Sequence, residues 1–314
     1  MQGRRLLVLA AMLAVCSVLY MTIGARGSWS FVLPFRGAKL AALLVVGVAV
    51  ATSTLLFQTV TRNRILTPSI MGFDALYVLL LSLAVFFLGA QSYLGLSQLT
   101  LFFVTLVALT VGALALFSTL LSGSREDLMR MVLTGVIVGV LFRSLSGLVA
   151  RMIDPNEYSV IQVDSFARFN AIETELLGIT AAVCGVAVFG AWRLRHVLDV
   201  LALGNDAAIN LGVDPRRRQM EALLLISVLV AASTALVGPV AFLGLLVVNL
   251  AYLLVPSANH AVMLPAAALI AGITLVGGQI VLERILGLAT PLSVVIDLIG
   301  GAVFLVVLMR RGVR

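Results

Sequence analysis

The chain is poor in charge. Only 11% of its 314 residues are charged, whereas 61% are hydrophobic, and an average soluble domain carries about 25% charged residues. A water-soluble fold of this size could not bury so many apolar side chains. Because the charges cluster between long apolar runs, and a helical crossing of a bilayer needs about 20 apolar residues, the composition predicts an all-α integral membrane protein.

The scarcity of lysine and cysteine excludes further classes. Lys39 is the one lysine, so the chain has no phosphate-binding loop of the Gly-x-x-x-x-Gly-Lys form and is not a conventional ATPase by itself. Cys16 and Cys184 lie inside apolar runs, which supports neither a disulfide framework nor a cysteine metal site. We expect no metal and no cofactor on this chain. The net charge of +7 comes from arginines scattered beside apolar runs, a pattern typical of topology signals and not of a nucleic-acid surface.

About ten apolar segments are bounded by charges, glycine or proline. Arg4 and Arg5 could begin a removable signal peptide, but the apolar run after them extends to about Ile23, which favours an uncleaved first span. The segments lie near residues 5–24, 38–60, 72–90, 99–121, 131–150, 173–192, 220–237, 239–255, 262–285 and 297–309.

An even number of spans places both termini on one side of the membrane. Most of the 21 basic residues fall on that side, so the positive-inside rule predicts that both termini are cytoplasmic. We interpret residues 1–314 as a single transmembrane domain. Two connections are longer than a turn requires, an external loop (151–172) and an internal loop (193–219), and long loops in compact proteins usually have a function.

The internal loop contains the signals of a short helix. Gly204 interrupts the preceding segment, Asn205 is suited to cap a new helix, and Gly212 and Pro215 would end that helix after about two turns. A helix so short needs a partner surface, and the small side chain of Ala208 would let a partner approach closely. By itself, this stretch favours an ordinary loop helix lying on the bilayer surface.

Four stretches in collinear order resemble the iron-siderophore and cobalamin permease family of ABC importers. They are Gly204, Ala208, Leu211 and Gly212 in the internal loop, Gln58, Asn63, Leu66, Pro68 and Gly72 after the second span, Gly238 to Leu245 leading to Asn249, and Leu264-Pro265 with Thr290-Pro291-Leu292. Each match is weak alone, but four in register cover nearly the whole chain.

The amino-acid sequence of two of these stretches resembles that of the family branch that handles catecholate-type siderophores. They are Thr67 to Asp74 and Asn249-Leu250-Ala251. The chain departs from the family in its last span, which commonly reads Gly-x-Pro-x-Phe and here reads Gly300-Gly301-Ala302-Val303-Phe304. Without that proline the helix should be straighter, which puts any gate based on a kink there in doubt.

The resemblance implies a large-permease (type II) ABC importer fold in the bacterial inner membrane. The implied partners are two ATPase subunits that carry ATP and magnesium, a second permease chain, and a periplasmic or lipid-anchored substrate-binding protein. The catecholate-type resemblance favours a paralogue over an identical copy as the second chain. The implied cargo is a ferric siderophore, with cobalamin or haem as alternatives. The ATPase would dock on the internal loop at Gly204, Asn205, Ala208, Leu211 and Gly212.

Three basic residues match the family's docking positions for the binding protein. Arg36 and Lys39 precede the second span at the expected places, and Arg284 lies near the third, with a spacing that differs by one residue. The alternative is that each simply anchors a helix end at the membrane interface.

The resemblance implies a translocation path along the fifth and last spans. Gly135 and Gly139 are four apart on one helix face, which permits close packing, and Arg143 follows one turn later. Arg143 could attract an anionic ferric chelate or pair with an acidic group such as Glu173 or Glu175. We favour the structural pairing.

Two rival functions have little support. An ion-driven secondary transporter needs carboxylates inside the membrane, but Asp74, Glu283 and Asp297 all lie near predicted span ends, where Asp297 is more typical of a cap. An intramembrane serine protease would use Ser146, but His196 and His260 are predicted at the cytoplasmic boundary and cannot reach it.

Overall fold

The computed structural model describes residues 2–24, 28–123, 128–169, 172–285, 287 and 291–311, and no strand occurs in these ranges. The helices, in chain order, are α1 (Gln2–Thr22), α2 (Trp29–Val60), α3 (Phe73–Leu88), α4 (Ala90–Leu94), α5 (Gln98–Gly123), α6 (Leu128–Ala150), α7 (Pro155–Asp164), α8 (Thr174–Arg193), α9 (Arg195–Leu201), α10 (Asn205–Asn210), α11 (Pro215–Val237), α12 (Leu243–Leu254), α13 (His260–Arg284) and α14 (Leu292–Arg311).

Seven helices in the described ranges are long and apolar enough to cross a membrane, namely α1, α2, α5, α6, α8, α11 and α13. Shorter apolar stretches lie in α3, α12 and α14. Each of the ten apolar segments read from the sequence coincides with one of these helices, which confirms the all-α membrane fold.

Two helices begin earlier than predicted. α2 begins at Trp29 instead of near residue 38, so Arg36 and Lys39 lie inside its first three turns. α14 begins at Leu292 instead of near residue 297. Asp297 is therefore not at the start of the last helix.

Pro215 begins a helix instead of ending one. Its position is the first in α11, where proline is well tolerated because the missing N–H has no intrahelical partner. The Asp214 carboxylate caps this end by accepting hydrogen bonds from the N–H groups of Arg216 (3.0 Å) and Arg217 (3.3 Å). The internal loop is accordingly shorter than predicted.

The bundle is built around α2 and α13. α2 packs against α8, α11, α12 and α13, and α1 packs mainly on α13. Small side chains are fully buried on both central helices, among them Ala42 and Ala51 on α2 and Ala267 and Ala271 on α13. Because lipid supplies no hydrophobic drive between helices, this close approach of backbones is what stabilises their association.

Two helices are too short to cross a bilayer. α3 has 16 residues and α12 has 12, which gives them lengths of about 24 and 18 Å, against about 30 Å for the hydrocarbon core. The chain before them, at 61–72 and 238–242, is not helical. Leu66, Thr67 and Val240 in these two stretches are buried, which keeps that irregular backbone away from lipid. By contrast, Arg62, Arg64 and Ile65 at the start of the first stretch are exposed.

The beginning of α3 lies beside the middle of α6. Gly72 has φ of 101°, a conformation that favours glycine, and a Cβ built on it would lie 3.0 Å from the Cα of Gly139. A Cβ on Gly139 would lie 3.2 Å from the Cα of Gly72. The two backbones therefore touch with no room for a side chain on either.

This contact predicts that α6 tolerates a large residue at one glycine and not at another. Gly139→Leu should destabilise the protein by about 1–3 kcal/mol, because an overpacked site must move backbone or side chains apart. Gly147→Leu on the same helix should have little effect, since a Cβ there meets nothing within 4 Å. Thermal unfolding of both variants in detergent measures the difference, and equal losses would contradict the packing assignment.

Candidate functional site

The internal loop folds into two short helices that pack on the membrane helices. α9 contacts α2 and α13, and α10 contacts α9 and α11. Leu198 and Leu201 of α9 are buried, and Ala208 of α10 is fully buried within the chain. Ala208 therefore fastens α10 to the bundle, and the expectation that it offers a surface to a partner is wrong.

The start of α10 also differs from the prediction. The capping position is occupied by Gly204, whose φ of 108° favours glycine, and Asn205 is the first helical residue. The side-chain oxygen of Asn205 instead accepts a hydrogen bond from Gln219 Nε2 on α11 at 3.2 Å. A Cβ on Gly204 would lie 3.2 Å from Nη1 of Arg62. These contacts connect the loop to α11 and to the end of α2.

The end of α10 is the one predicted. Gly212 has φ of 76°; its N–H donates to the carbonyl of Ile209, and the N–H of Val213 donates to the carbonyl of Ala208, both at 2.9 Å. This is the Schellman pattern, in which a left-handed glycine lets two terminal carbonyls find donors. Gly212 thus ends the helix through its left-handed conformation, and its role in ATPase docking stays a prediction.

The outward face of the internal loop carries three large apolar side chains. Leu203, Ile209 and Leu211, which we call the internal patch, are 66%, 60% and 61% exposed. Asp206 and Arg217 are exposed in the same loop. An apolar patch with charged residues around it is typical of a protein interaction site.

At the opposite end of the bundle, Arg36 closes the C-terminal end of α1. Helix C-termini leave carbonyls without partners and carry partial negative charge, which a guanidinium can neutralise. Arg36 donates hydrogen bonds of 2.8 to 3.2 Å to four carbonyls, those of Tyr20, Met21, Ile23 and Gly24. The sequence did not reveal this role, because it depends on the position of α1 relative to α2.

The other two predicted docking residues lie near the same helix end. Arg284 Nη2 donates to the carbonyl of Ile23 at 2.5 Å. The Lys39 ammonium group lies 4.6 Å from the centre of the Phe35 ring and within electrostatic range of Arg36. The structure thus brings Arg36, Lys39 and Arg284 together, and gives the two arginines a stabilising contact with α1; docking of a binding protein there remains a prediction.

The predicted path residues on α6 face the start of α3. A Cβ on Gly135 would collide with the Met71 side chain, as one on Gly139 would approach Gly72. Arg143 is exposed and lies within electrostatic range of Asp74 on α3; its pairing with Glu173 or Glu175 stays a prediction. Both glycines serve packing within the chain; whether this face borders a transport path stays a prediction.

The segments that lead into the two interrupted helices border a cavity of about 20 Å³, which is room for one water-sized molecule, and its lining is mostly apolar with several polar side chains. The family-like stretches around Pro68 and Gly238 meet here although they are far apart in sequence. The lining residues are Val46, Val50, Ser53, Thr54, Pro68, Ser69, Asp74, Val230, Ser233, Thr234, Gly238 and Val240.

Each interrupted helix has a carboxylate near its N-terminal end. Asp74 lies in the first turn of α3 and is hydrogen-bonded to the Ser69 side chain. Asp297 Oδ1 accepts from the N–H of Phe242, the capping position of α12, at 3.1 Å. Asp297 is therefore a cap, as expected, but of α12 and not of its own helix. Carboxylates at these positions suit the positive end of a helix dipole.

The external loop covers the Gly238 side of the cavity. It contains α7, after which the N–H of Arg168 donates to the carbonyl of Val237 at 2.7 Å. A Cβ on Gly238, whose φ is 96°, would lie 3.0 Å from the carbonyl oxygen of Phe166. This contact explains why glycine is needed at the junction between α11 and α12.

The end of α7 is held by polar contacts that the sequence did not suggest. The Asp164 carboxylate pairs with Arg168 and accepts a hydrogen bond from the Tyr93 hydroxyl at 3.3 Å, while the Tyr77 hydroxyl donates to its backbone carbonyl at 3.0 Å. Burial and the neighbouring Asp164 carboxylate raise the pKa of Tyr93 above its ordinary value, so this hydroxyl stays a donor at neutral pH.

Comparison with known proteins matches residues 5–310 to the FecCD transport family. The chain belongs to that family. It is 39% identical over 285 residues to a petrobactin import system permease protein of Bacillus subtilis, covering 91% of this chain and 90% of the relative. It is 30% identical over 288 residues to a ferric enterobactin transport system permease protein of Escherichia coli, covering 91% and 83%.

A solved structure has the same fold. It is an inward-facing conformation of a transporter described as of the metal-chelate ABC type, with a TM-score of 0.83, 25% sequence identity, and coverage of 98% of this chain and 99% of that one. The family resemblance read from the four sequence stretches is therefore confirmed.

The contacts of Arg36 lead to a prediction about its role in capping the end of α1. Arg36→Gln should lower the free energy of unfolding by about 2 kcal/mol, because the carbonyls at the end of α1 lose a charged donor. Arg151→Gln, an exposed arginine at the end of α6, serves as the control and should change it little. Thermal unfolding in detergent is the measurement; an unchanged midpoint for Arg36→Gln would mean that the capping contacts contribute nothing.

Proposed function

We propose that this chain is the permease subunit of an ATP-driven importer that carries ferric siderophores of the catecholate or petrobactin kind into the cytoplasm. Membership of the FecCD family and the petrobactin and enterobactin relatives support the class of transporter and cargo. Cobalamin and haem are the alternative cargoes. Uptake assays with ferric siderophore, cobalamin and haem distinguish the three possibilities.

The observation that carries the proposal is the internal patch. Leu203, Ile209 and Leu211 are exposed on a segment that is firmly attached to α2, α11 and α13. If the loop were mobile, a displacement caused by a partner would be absorbed by movement of the loop. Because the loop is packed against the helices, the displacement is transmitted to them. An ATPase subunit that docks on this patch could therefore move the bundle.

The proposed topology has ten crossings in one transmembrane domain covering residues 1–314, with both termini in the cytoplasm and the protein in the bacterial inner membrane. The seven long apolar helices and the three shorter ones support that count. α3 and α12 count as crossings because the irregular segments before them complete the path through the membrane.

The proposed assembly has two ATPase subunits that hold ATP and magnesium, a second permease chain, and a substrate-binding protein outside. The face of α6 away from α3 is apolar and exposed, with Ile137, Leu141 and Leu148 at its surface, which suits either lipid or a second permease. Transport would pass between the two permeases along a path that the exposed Arg143 could face. Gly135 and Gly139 pack against the start of α3 and would position α6 beside that path. Arg36, Lys39 and Arg284 would orient the binding protein.

Leu211→Glu should abolish both ATPase binding and siderophore uptake, because a charge replaces the centre of an apolar contact. Leu211 is a cleaner target than Gly212, whose left-handed conformation makes any substitution disturb the end of α10. Leu211→Met keeps the apolar volume and should retain activity. Co-purification of the ATPase and uptake of labelled siderophore are the measurements, and full uptake by Leu211→Glu would refute docking at the internal patch.

Purification of the tagged chain from its native membrane should recover a second, different permease together with an ATPase whose amount equals that of the two permeases combined. Mass spectrometry of the complex identifies and counts the subunits. Recovery of an ATPase with this chain as the only permease would favour a homodimer. Recovery of the chain alone, under conditions that keep a known ABC importer intact, would favour the ion-driven transporter instead.

A further inference from the structure

Three side chains from distant parts of the sequence form a hydrogen-bonded series at the junction of the internal loop and the membrane helices. Asp199 Oδ1 on α9 lies 2.6 Å from His260 Nδ1, at the start of α13. His260 Nε2 lies 2.7 Å from the Thr59 hydroxyl, near the end of α2. His260 and Thr59 are buried, and Asp199 is 28% exposed.

The chemistry of the groups fixes the direction of the first bond: a carboxylate only accepts, so Nδ1 of His260 donates to Asp199. The second bond follows the protonation of the ring: Nε2 accepts from the Thr59 hydroxyl when the imidazole is neutral and donates to it when the imidazole is protonated. The same hydroxyl lies 2.9 Å from the carbonyl of Leu55, so its single proton serves one acceptor at a time. Asp199 Oδ1 also accepts a hydrogen bond from the backbone N–H of His260 at 2.8 Å. A residue of α9 thus caps the N-terminal end of α13.

This series joins three helices that apolar contacts alone would leave free to slide. Leu198 and Leu201 hold α9 against the bundle, but hydrophobic contact is non-directional and permits sliding. Hydrogen bonds weaken steeply when their angle or length changes, and breaking a buried one leaves a polar atom without a partner. The bonds from Asp199 to Thr59 therefore fix the angle and register of α9 relative to α2 and α13.

The series lies between the internal patch and the helices that would have to move. α9 leads directly through Leu203 into α10, and α10 is attached to α11 by the contact between Asn205 and Gln219. Arg62, two residues after the end of α2, reaches Gly204. A displacement of the internal patch can thus reach α11 at one place, and α2 and α13 through Asp199, His260 and Thr59.

We propose that Asp199, His260 and Thr59 are positioning residues that couple ATPase motion at the internal loop to α2 and α13. This inference rests on the proposed function, because it assumes that the internal patch receives the motion. The three side chains need not touch the cargo or ATP. Their loss should leave a complex that still assembles and hydrolyses ATP but moves less cargo for each ATP consumed.

The test uses the full complex of both permeases, ATPase and binding protein, reconstituted in vesicles. Ferric siderophore is supplied on the side of the membrane where the binding protein docks. Thr59→Val removes the hydroxyl at nearly constant volume, and Asp199→Ala removes the acceptor of both His260 bonds. Each should lower the ratio of siderophore transported to ATP hydrolysed by about fivefold, which corresponds to the loss of one hydrogen bond of typical net strength. Thr59→Ser, which restores the hydroxyl, should recover the ratio.

A matched control is available on α8. Thr180 is fully buried and its hydroxyl bonds only to its own helix in the described contacts, at the carbonyl of Leu176, so Thr180→Val makes the same chemical change without breaking a link between helices. It should leave the ratio unchanged.

The outcomes test the positioning role of the three side chains separately from the proposed function. An unchanged ratio in both Thr59→Val and Asp199→Ala, with the complex assembled, would overturn the positioning role. An equal fall in Thr180→Val would do the same, since the effect would then be one of general packing. Failure of the unmodified chain to bind any ATPase would instead overturn the proposed function itself.

Discussion

Two stretches of irregular backbone, 61–72 and 238–242, each precede a short apolar helix, and much of the bundle is arranged so that protein surrounds residues 66–68, 71–72, 238 and 240, which are buried. Lipid offers no hydrogen bonds, so each N–H and C=O there needs a partner or burial within the protein. In the first stretch, Gly72 packs against α6 at Gly139, where there is no side chain. In the second, Gly238 packs against Phe166 of the external loop. The positive φ values of Gly72 and Gly238 allow the chain to turn at these contacts.

The same constraint accounts for the polar groups inside the bundle. Where α3 and α12 begin within the protein, their free N–H groups create a positive region. Asp74 lies in the first turn of α3, and Asp297 accepts a hydrogen bond from the capping residue of α12. A small cavity with both apolar and polar side chains lies beside these two interruptions of the chain.

Both ends of the bundle are tied by polar contacts between segments far apart in sequence. At one end Arg36 and Arg284 close α1, and at the other the Asp199 series joins the internal loop to α2 and α13. Between these ends, small buried side chains such as Ala42, Ala51, Ala267 and Ala271 let the two central helices pack closely.

The sequence by itself determined the membrane class, the ten apolar segments and the family, because these follow from composition, local hydropathy and short stretches such as Gly204 to Gly212. It also indicated the end of α10, since a left-handed glycine acts on its immediate neighbours. Only the tertiary structure decided that Ala208 is buried, that Asp297 caps α12, that Arg36 caps α1, and that His260 joins Asp199 to Thr59. Each of these depends on which helices become neighbours, and residues separated by 16 to 201 positions carry no local pattern that announces their contact.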